Sequence, residues 1–198
     1  MKTKFDRVYQ FKITLKGVRP PIWRRIQVPE TYTFWDLHVA IQNAMGWLDF
    51  CLHEFVILNL RTGEEATIEY PDEEFPEDVI FLDQKEKISE WFSMENKVAE
   101  YTYDFQHDWR HKVELEKILP RDKNTKYPIC IAGKRSCPPE TCDGVWEFKE
   151  FLKAIKNPER LDNKDILERV GEEFDPEDFS VEEVTFEDPE EHKNSLFY

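Results

Sequence analysis

Residues 33–46 read TFWDLHVAIQNAMG, and the arrangement of the whole chain follows from this stretch. Thr33 with Asp36 three positions later is a helix N-cap followed by an acid at its third position. Leu37, Ala40, Ile41, Ala44 and Met45 recur at helical spacing, and Gly46 supplies the stop. An apolar stripe needs an apolar surface to lie on, and the residues before it provide one. Tyr9, Phe11, Ile13 and Leu15 alternate with Gln10, Lys12, Thr14 and Lys16, the period of a strand with one wet face. After Gly17 and the Pro20-Pro21 pair, IWRRIQV (22–28) resumes as an antiparallel partner, with Trp23 opposite Ile22, Ile26 and Val28. The helix is expected to lie on that sheet.

Downstream, HEFVILNL and ATIEY flank the turn RTGEE and predict a second hairpin. PDEEFPED (71–78) is an acidic, proline-bounded loop. Ile88, Trp91 and Phe92 predict a short helix. Ala99, Tyr101, Tyr103 and Phe105 form the aromatic side of a strand. QHD turns the chain into WRHKVELEKIL, a strand with Trp109, His111, Val113 and Leu115 on one side. Phe148, Phe151, Leu152 and Ile155 give a helical stripe, and Asp162–Val170 one more short helix ending at Gly171. Strands and helices in this order predict an α+β fold: a mixed or antiparallel sheet packed against a central helix, with additional C-terminal helices. A β-grasp-like arrangement is one way to wire it.

The 198 residues are 40% hydrophobic and carry a formal net charge of −15, enough apolar content for a real core. So acidic a chain opposes non-specific nucleic-acid binding, which rests on a basic surface. Eight Lys/Arg against one acid in residues 1–28 could make a local basic face, or simply the solvent side of a strand. There is no apolar run of about 20 residues to span a membrane, and the N-terminus shows no signal-peptide h-region. Four cysteines do not make a disulfide scaffold, and reduced thiols in a cytoplasm are expected.

The loop AGKRSCPPETCDG (132–144) concentrates the chemistry. Gly133-Lys134 is not a P-loop, because Pro128 and Arg135 stand where a glycine and a Ser/Thr are required. Zinc would take thiolate and imidazole ligands such as Cys137, Cys142 and His107, with Cys130 and His111 also in range of sequence. The C-x6-C-x4-C spacing departs from the usual knuckle, and four residues between Cys137 and Cys142 do not suit a redox pair. Cys137 or Cys142 with His107 or His111 and Asp104 or Asp108 composes a Cys-His-Asp set, yet spacing does not place them together. No catalytic motif emerges. The leading reading is a proline-stiffened bend joining the strand near Ile129–Ile131 to the Trp146–Ile155 helix.

Three segments taken together resemble the plasmid-Ri ORF-three-like family: LHVAIQNAMGW with LHEF, YDFQHDWRHKVELEKIL, and YPICIAGKRSCPPETCDG with VWEFKEFLKAI. The likeness runs from Tyr9 to about Phe186. It implies an α+β domain without an established activity, in the genomic company of mobile elements. Tyr103, Asp104, Phe105, Asp108, Trp109 and His111 match the family's YDFGDxWxH, with Gln106 and His107 departing. Cys137, Pro138, Pro139, Glu140, Cys142 and Gly144 match its CPPEDCGG, with Thr141 and Asp143 departing. A family-like FDPEDF ending, anchored by Phe174, Phe179, Val184 and Phe186, implies that the acidic C-terminal segment docks. One domain over 1–186 with a flexible acidic tail at 187–198 is therefore expected.

The favoured expectation is a cytoplasmic, non-enzymatic binding or interaction module with a protein or nucleic-acid partner in a mobile-element setting. Its surface would be the Tyr103–His111 hairpin beside the 134–143 loop, with Asp104, Asp108, Trp109, His111, Arg135, Glu140 and Asp143 as contacts. Two alternatives stand beside it: a metal- or Cys/His-dependent hydrolase, and an acidic DNA mimic or partner of a basic protein using the C-terminal acids and the 71–78 loop.

Overall fold

Thr33 and Asp36 form the reciprocal capping box, each side chain accepting from the other's backbone N–H. They open helix α1, Phe34–Met45, which Gly46 ends in the left-handed conformation at φ 80°. Two further N–H groups of its first turn are taken by carbonyls of the 83–86 turn, Phe34 N by Glu86 and Trp35 N by Asp83, so no donor at this buried end is left orphaned there. The structure, a computed structural model, describes residues 4–70, 81–170 and 174–196. The 71–78 acidic loop and the stop at Gly171 lie outside these.

The strands are β1 (Arg7–Leu15), β2 (Trp23–Pro29), β3 (His53–Asn59), β4 (Glu64–Glu69), β5 (Phe81–Leu82), β6 (Val98–Tyr103), β7 (Trp109–Pro120) and β8 (Ile129–Lys134). They make one sheet in the order β5-β4-β3-β6-β7-β1-β2-β8. Every neighbouring pair is antiparallel except β4–β5 at the edge. The sheet is thus mixed, as expected, but lacks the central parallel pair that a β-grasp wiring requires. Short α2 (Ile88–Trp91), then α3 (Gly144–Ala154), α4 (Lys164–Val170) and α5 (Pro189–Leu196) complete the fold.

The alternation in β1 and β7 decides which face is covered. Phe11, Ile13, Val113 and Leu115 are completely buried beneath α1, while the opposite face is wet, as one-sided antiparallel sheets are. On that open face Arg25 sits against Glu116, Lys16 and Arg110 against Glu100, and Lys112 against Glu114. Within the basic N-terminal block, Lys16 and Arg25 thus lie on the solvent side of strands and are matched by acids, whereas Arg24 is buried.

Helix α1 is buried on more than its sheet side. Ten of its twelve residues are inaccessible, far more than an apolar stripe alone predicts. The C-terminal segment supplies the second cover. Phe174 meets Phe148 and Phe151 edge-on, the Arg24 guanidinium stacks 3.9 Å from the Phe179 ring, and Trp35 Nε1 donates to Pro189 O. The loose tail expected from residue 187 is instead helix α5 over Pro189–Leu196, packed on α1. Acidity alone read as solvation, while the anchors that hold α5 lie some 150 positions away in sequence.

Gly133 lies under this cover. A Cβ there would collide with the Phe179 ring and approach Arg24 Cδ to 2.9 Å. Gly133→Ala is expected to lift the segment locally by about 1 kcal/mol, raising protease cleavage within 174–196 roughly fivefold while the sheet core survives. Unchanged cleavage kinetics would show that the segment is held independently of Phe179.

Candidate functional site

Between Gly46 and β3 the chain runs WLDFCL, and its side chains face the reverse of what alternation suggests. Leu48, Phe50 and Leu52 are 63%, 75% and 53% exposed, whereas Trp47 and Asp49 are buried. The backbone of this loop is fixed from three directions. Glu140 Oε2 accepts from Leu48 N at 2.8 Å, and Tyr103 Oη accepts from Phe50 N at 2.9 Å while donating to Glu140 Oε1. Asp104 N donates to Leu52 O, and Trp47 Nε1 to Pro138 O. A pinned backbone thus presents three apolar side chains to solvent. Beside it a cavity of about 220 Å³ opens between Trp35, Asp49, Phe50, Leu52, His53 and Tyr70.

Asp49 explains the reversal. Its φ of 60° turns it inward, a conformation Asp tolerates better than most residues. Asp49 Oδ1 lies 2.9 Å from His38 Nε2 and Oδ2 3.0 Å from His192 Nε2 on α5. Burial pushes its carboxyl up, but the contacts with His38 and His192 and the nearby His53 outweigh that and hold it below the ordinary range. His38 Nδ1 faces Tyr101 Oη at 2.8 Å, which also accepts from Gln42 Nε2. His192 Nδ1 continues to Glu187 Oε2 at 2.7 Å. A polar chain therefore runs from the core to the surface through Tyr101, His38, Asp49, His192 and Glu187.

Against His38 lies a second pair, His53 Nε2 with Asp83 Oδ2 at 3.1 Å. The two imidazoles are stacked with centroids 3.5 Å apart and an interplanar angle of 8°. The in-plane lone pairs of parallel rings do not meet at one point, as shared coordination of one ion would need. Among the described residues, no group of three or more His, Cys, Asp and Glu is placed to hold a metal.

Of the site residues expected from sequence, the structure gathers Asp104, Glu140 and Asp143 with His107. His107 Nδ1 is 2.5 Å from Asp104 Oδ2, and its Nε2 is 3.4 Å from Asp143 Oδ1. A Cβ on Gly144, itself at φ 78°, would stand 2.5 Å from His107 O, so hairpin and proline loop touch. The other expected residues lie elsewhere. Trp109 and His111 are core side chains, with His111 between Trp47 and Tyr101 and completely buried. Asp108 pairs with Arg110 on the open sheet face. Arg135 is buried and clamps Glu177 and Pro20 O, tying down the C-terminal segment.

Cys137, Cys142 and His107, expected as a metal set, do not form a group placed to hold an ion. Cys137 Sγ contacts Arg24 Nη2 and Met45 Sδ, while Cys142 is fully buried. Burial pushes both thiols up to about 11, against the opposing charges of Arg24 and Arg169.

Residues 7–183 match the model of the plasmid pRiA4b ORF-3-like protein family. The chain belongs to that family. It is 32% identical over 164 residues to the uncharacterized protein y4hQ of Sinorhizobium fredii (strain NBRC 101917 / NGR234), covering 83% of this chain and 81% of that one. It is similar to the crystal structure of MM3350, a protein of unknown function from Methanosarcina mazei Go1: TM-score 0.87, 47% identity, 92% of this chain and all of the other. In this family member no helix among the described residues is long and apolar enough to cross a membrane.

The buried histidines give stability a defined pH dependence. Burial, with the charge of His53, lowers His38 to about 4, and burial lowers His111 to about 3. Both folded values lie below the unfolded one near 6.5, so the unfolded chain takes up these protons first as pH falls. Their contribution is complete above about pH 6.5 and declines toward pH 4, by up to about 1.4 kcal/mol per pH unit for each histidine. Urea unfolding between pH 7 and 4.5 should show that slope, and His111→Leu should remove about one proton from it whatever its absolute stability. An unchanged slope in the variant would reject the assignment.

Proposed function

We propose that this chain is a binding module whose contact surface is the Leu48–Leu52 loop and the cavity beside it. One observation carries the reading: three large apolar side chains stand in solvent on a backbone held by Glu140, Tyr103 and Asp104. Exposed apolar clusters mark contact sites, and a loop already fixed loses little further freedom on binding. Full burial of each side chain stabilises a complex by about 1.5–3 kcal/mol, with Phe50 the natural central anchor. Phe105, 49% exposed on the adjoining turn, is positioned to extend the surface.

The mobile-element setting enters as context from the family likeness, and the partner sought there is a protein. The ion-paired open face does not favour a nucleic acid, since Arg25, Lys16, Arg110 and Lys112 already face carboxylates. Nor is the hydrolytic alternative favoured, because the buried thiols are held protonated and Cys137 faces Arg24 and Met45 rather than a histidine. Four free cysteines suit a reducing compartment, and the cytoplasm is the proposed location.

Indole, neutral and apolar, is a suitable probe. Saturation-transfer NMR should show saturable binding to the wild-type chain and its loss in Phe50→Ser and Leu52→Ser, with melting temperatures held because both side chains are exposed. Absence of binding, or equal binding to all three proteins, would overturn the proposal.

A further inference from the structure

Resting on that reading, we infer that the occupant of the loop is a basic, amphipathic segment of a partner protein, one apolar side chain entering the cavity and Lys or Arg meeting the rim. The first argument is charge. Three carboxylates lie around the loop: Glu140 accepts from Leu48 N, Asp104 takes the Cys51 thiol while its N–H holds Leu52 O, and Glu187 reaches Asp49 through His192. Their partners among the described residues are histidines, Tyr103, the Cys51 thiol and backbone N–H groups. No lysine or arginine among those residues is paired with any of the three. Asp143, 63% exposed, also lies nearby, but Arg169 already pairs with it at 3.3 Å, so it adds little to this charge. Opposite charge around an apolar centre is the complementarity that selects a partner and speeds encounter.

The second argument is size. A cavity of about 220 Å³ falls below the roughly 300–1,000 Å³ of sites that enclose a drug-sized ligand or cofactor. It suits one side chain delivered by a larger surface. The third is hydrogen bonding. The N–H groups of Leu48 and Phe50 and the carbonyl of Leu52 are already taken, so the loop offers no regular edge for strand addition. Contact passes through side chains, as when an amphipathic helix lays its apolar face on an apolar surface. The chain's own net charge of −15 sets a second copy, a nucleic acid and an anionic membrane at an electrostatic disadvantage.

The test uses the full chain and three synthetic helical peptides of equal length. The first has Leu and Phe on one face and Lys on the other. The second replaces each Lys by Glu, and the third keeps the Lys but replaces Leu and Phe by Ser. Fluorescence anisotropy should show saturable binding of the first peptide alone. That binding should weaken about tenfold in Phe50→Ser and about tenfold between roughly 50 and 500 mM salt. Equal binding of the Lys and Glu peptides overturns the charge inference and leaves the apolar surface standing. Binding of the Lys/Ser peptide as tight as the first, or indifference to Phe50→Ser, assigns the contact to general acidity and overturns the site. No binding of the first peptide by a chain that does bind indole rejects this occupant only. Failure of both probes rejects the surface itself.

Discussion

The inward carboxylate of Asp49 is the constraint on which the site depends. One oxygen reaches a histidine of α1 and the other a histidine of α5, so a single side chain joins the central helix, the loop and the C-terminal cover. An isolated buried carboxylate is costly, and here the cost is offset because both oxygens have imidazole partners. The left-handed backbone at Asp49 follows from that inward turn, and with it the outward placement of Leu48 and Phe50. The exposed apolar surface is therefore the other side of the inward turn of Asp49, not an accident of a loose loop.

The same logic governs the rest of the covered face. Arg24 is buried with its guanidinium spread over the carbonyls of Ala44, Trp23 and Lys134, the Cys137 sulfur and the Phe179 ring. Burial lowers the pKa of this guanidinium, against the opposing influence of the Cys137 and Cys130 thiols. Arg24 and Arg135, two of the basic residues nearest the proline loop, are thus structural clamps. The acidic C-terminal segment completes the molecule by answering them, Glu177 with Arg135 and Phe179 with Arg24.

Local signals made much of this legible. Thr33, Asp36 and Gly46 mark the ends of α1 through interactions within four residues, and the alternation in β1 and β7 names the covered face. The hairpin beside the proline loop is expected from sequence, but only the contacts of His107 with Asp143 and Gly144 establish it. The proposed contact surface is not legible in this way. Nothing local in Leu48, Phe50 and Leu52 alternating with Asp49 marks them for solvent, and the histidines that draw Asp49 inward, His38 and His192, are distant in sequence. His111 and Trp109 carry binding chemistry by residue type, yet their place on the aromatic side of β7 put them in the core. Helix α5 was hidden for a related reason: its composition is polar, and what orders it is a docking surface that no short window contains.

A helix closed in on nearly every side, as α1 is, has almost no position where a polar replacement goes unnoticed. The ladder of opposite charges on the bare side of the sheet is different, because exchanging Lys112 with Glu114, or Arg25 with Glu116, preserves each rung. Exchanges of that kind are expected to cost little, whereas the packing around the central helix tolerates few.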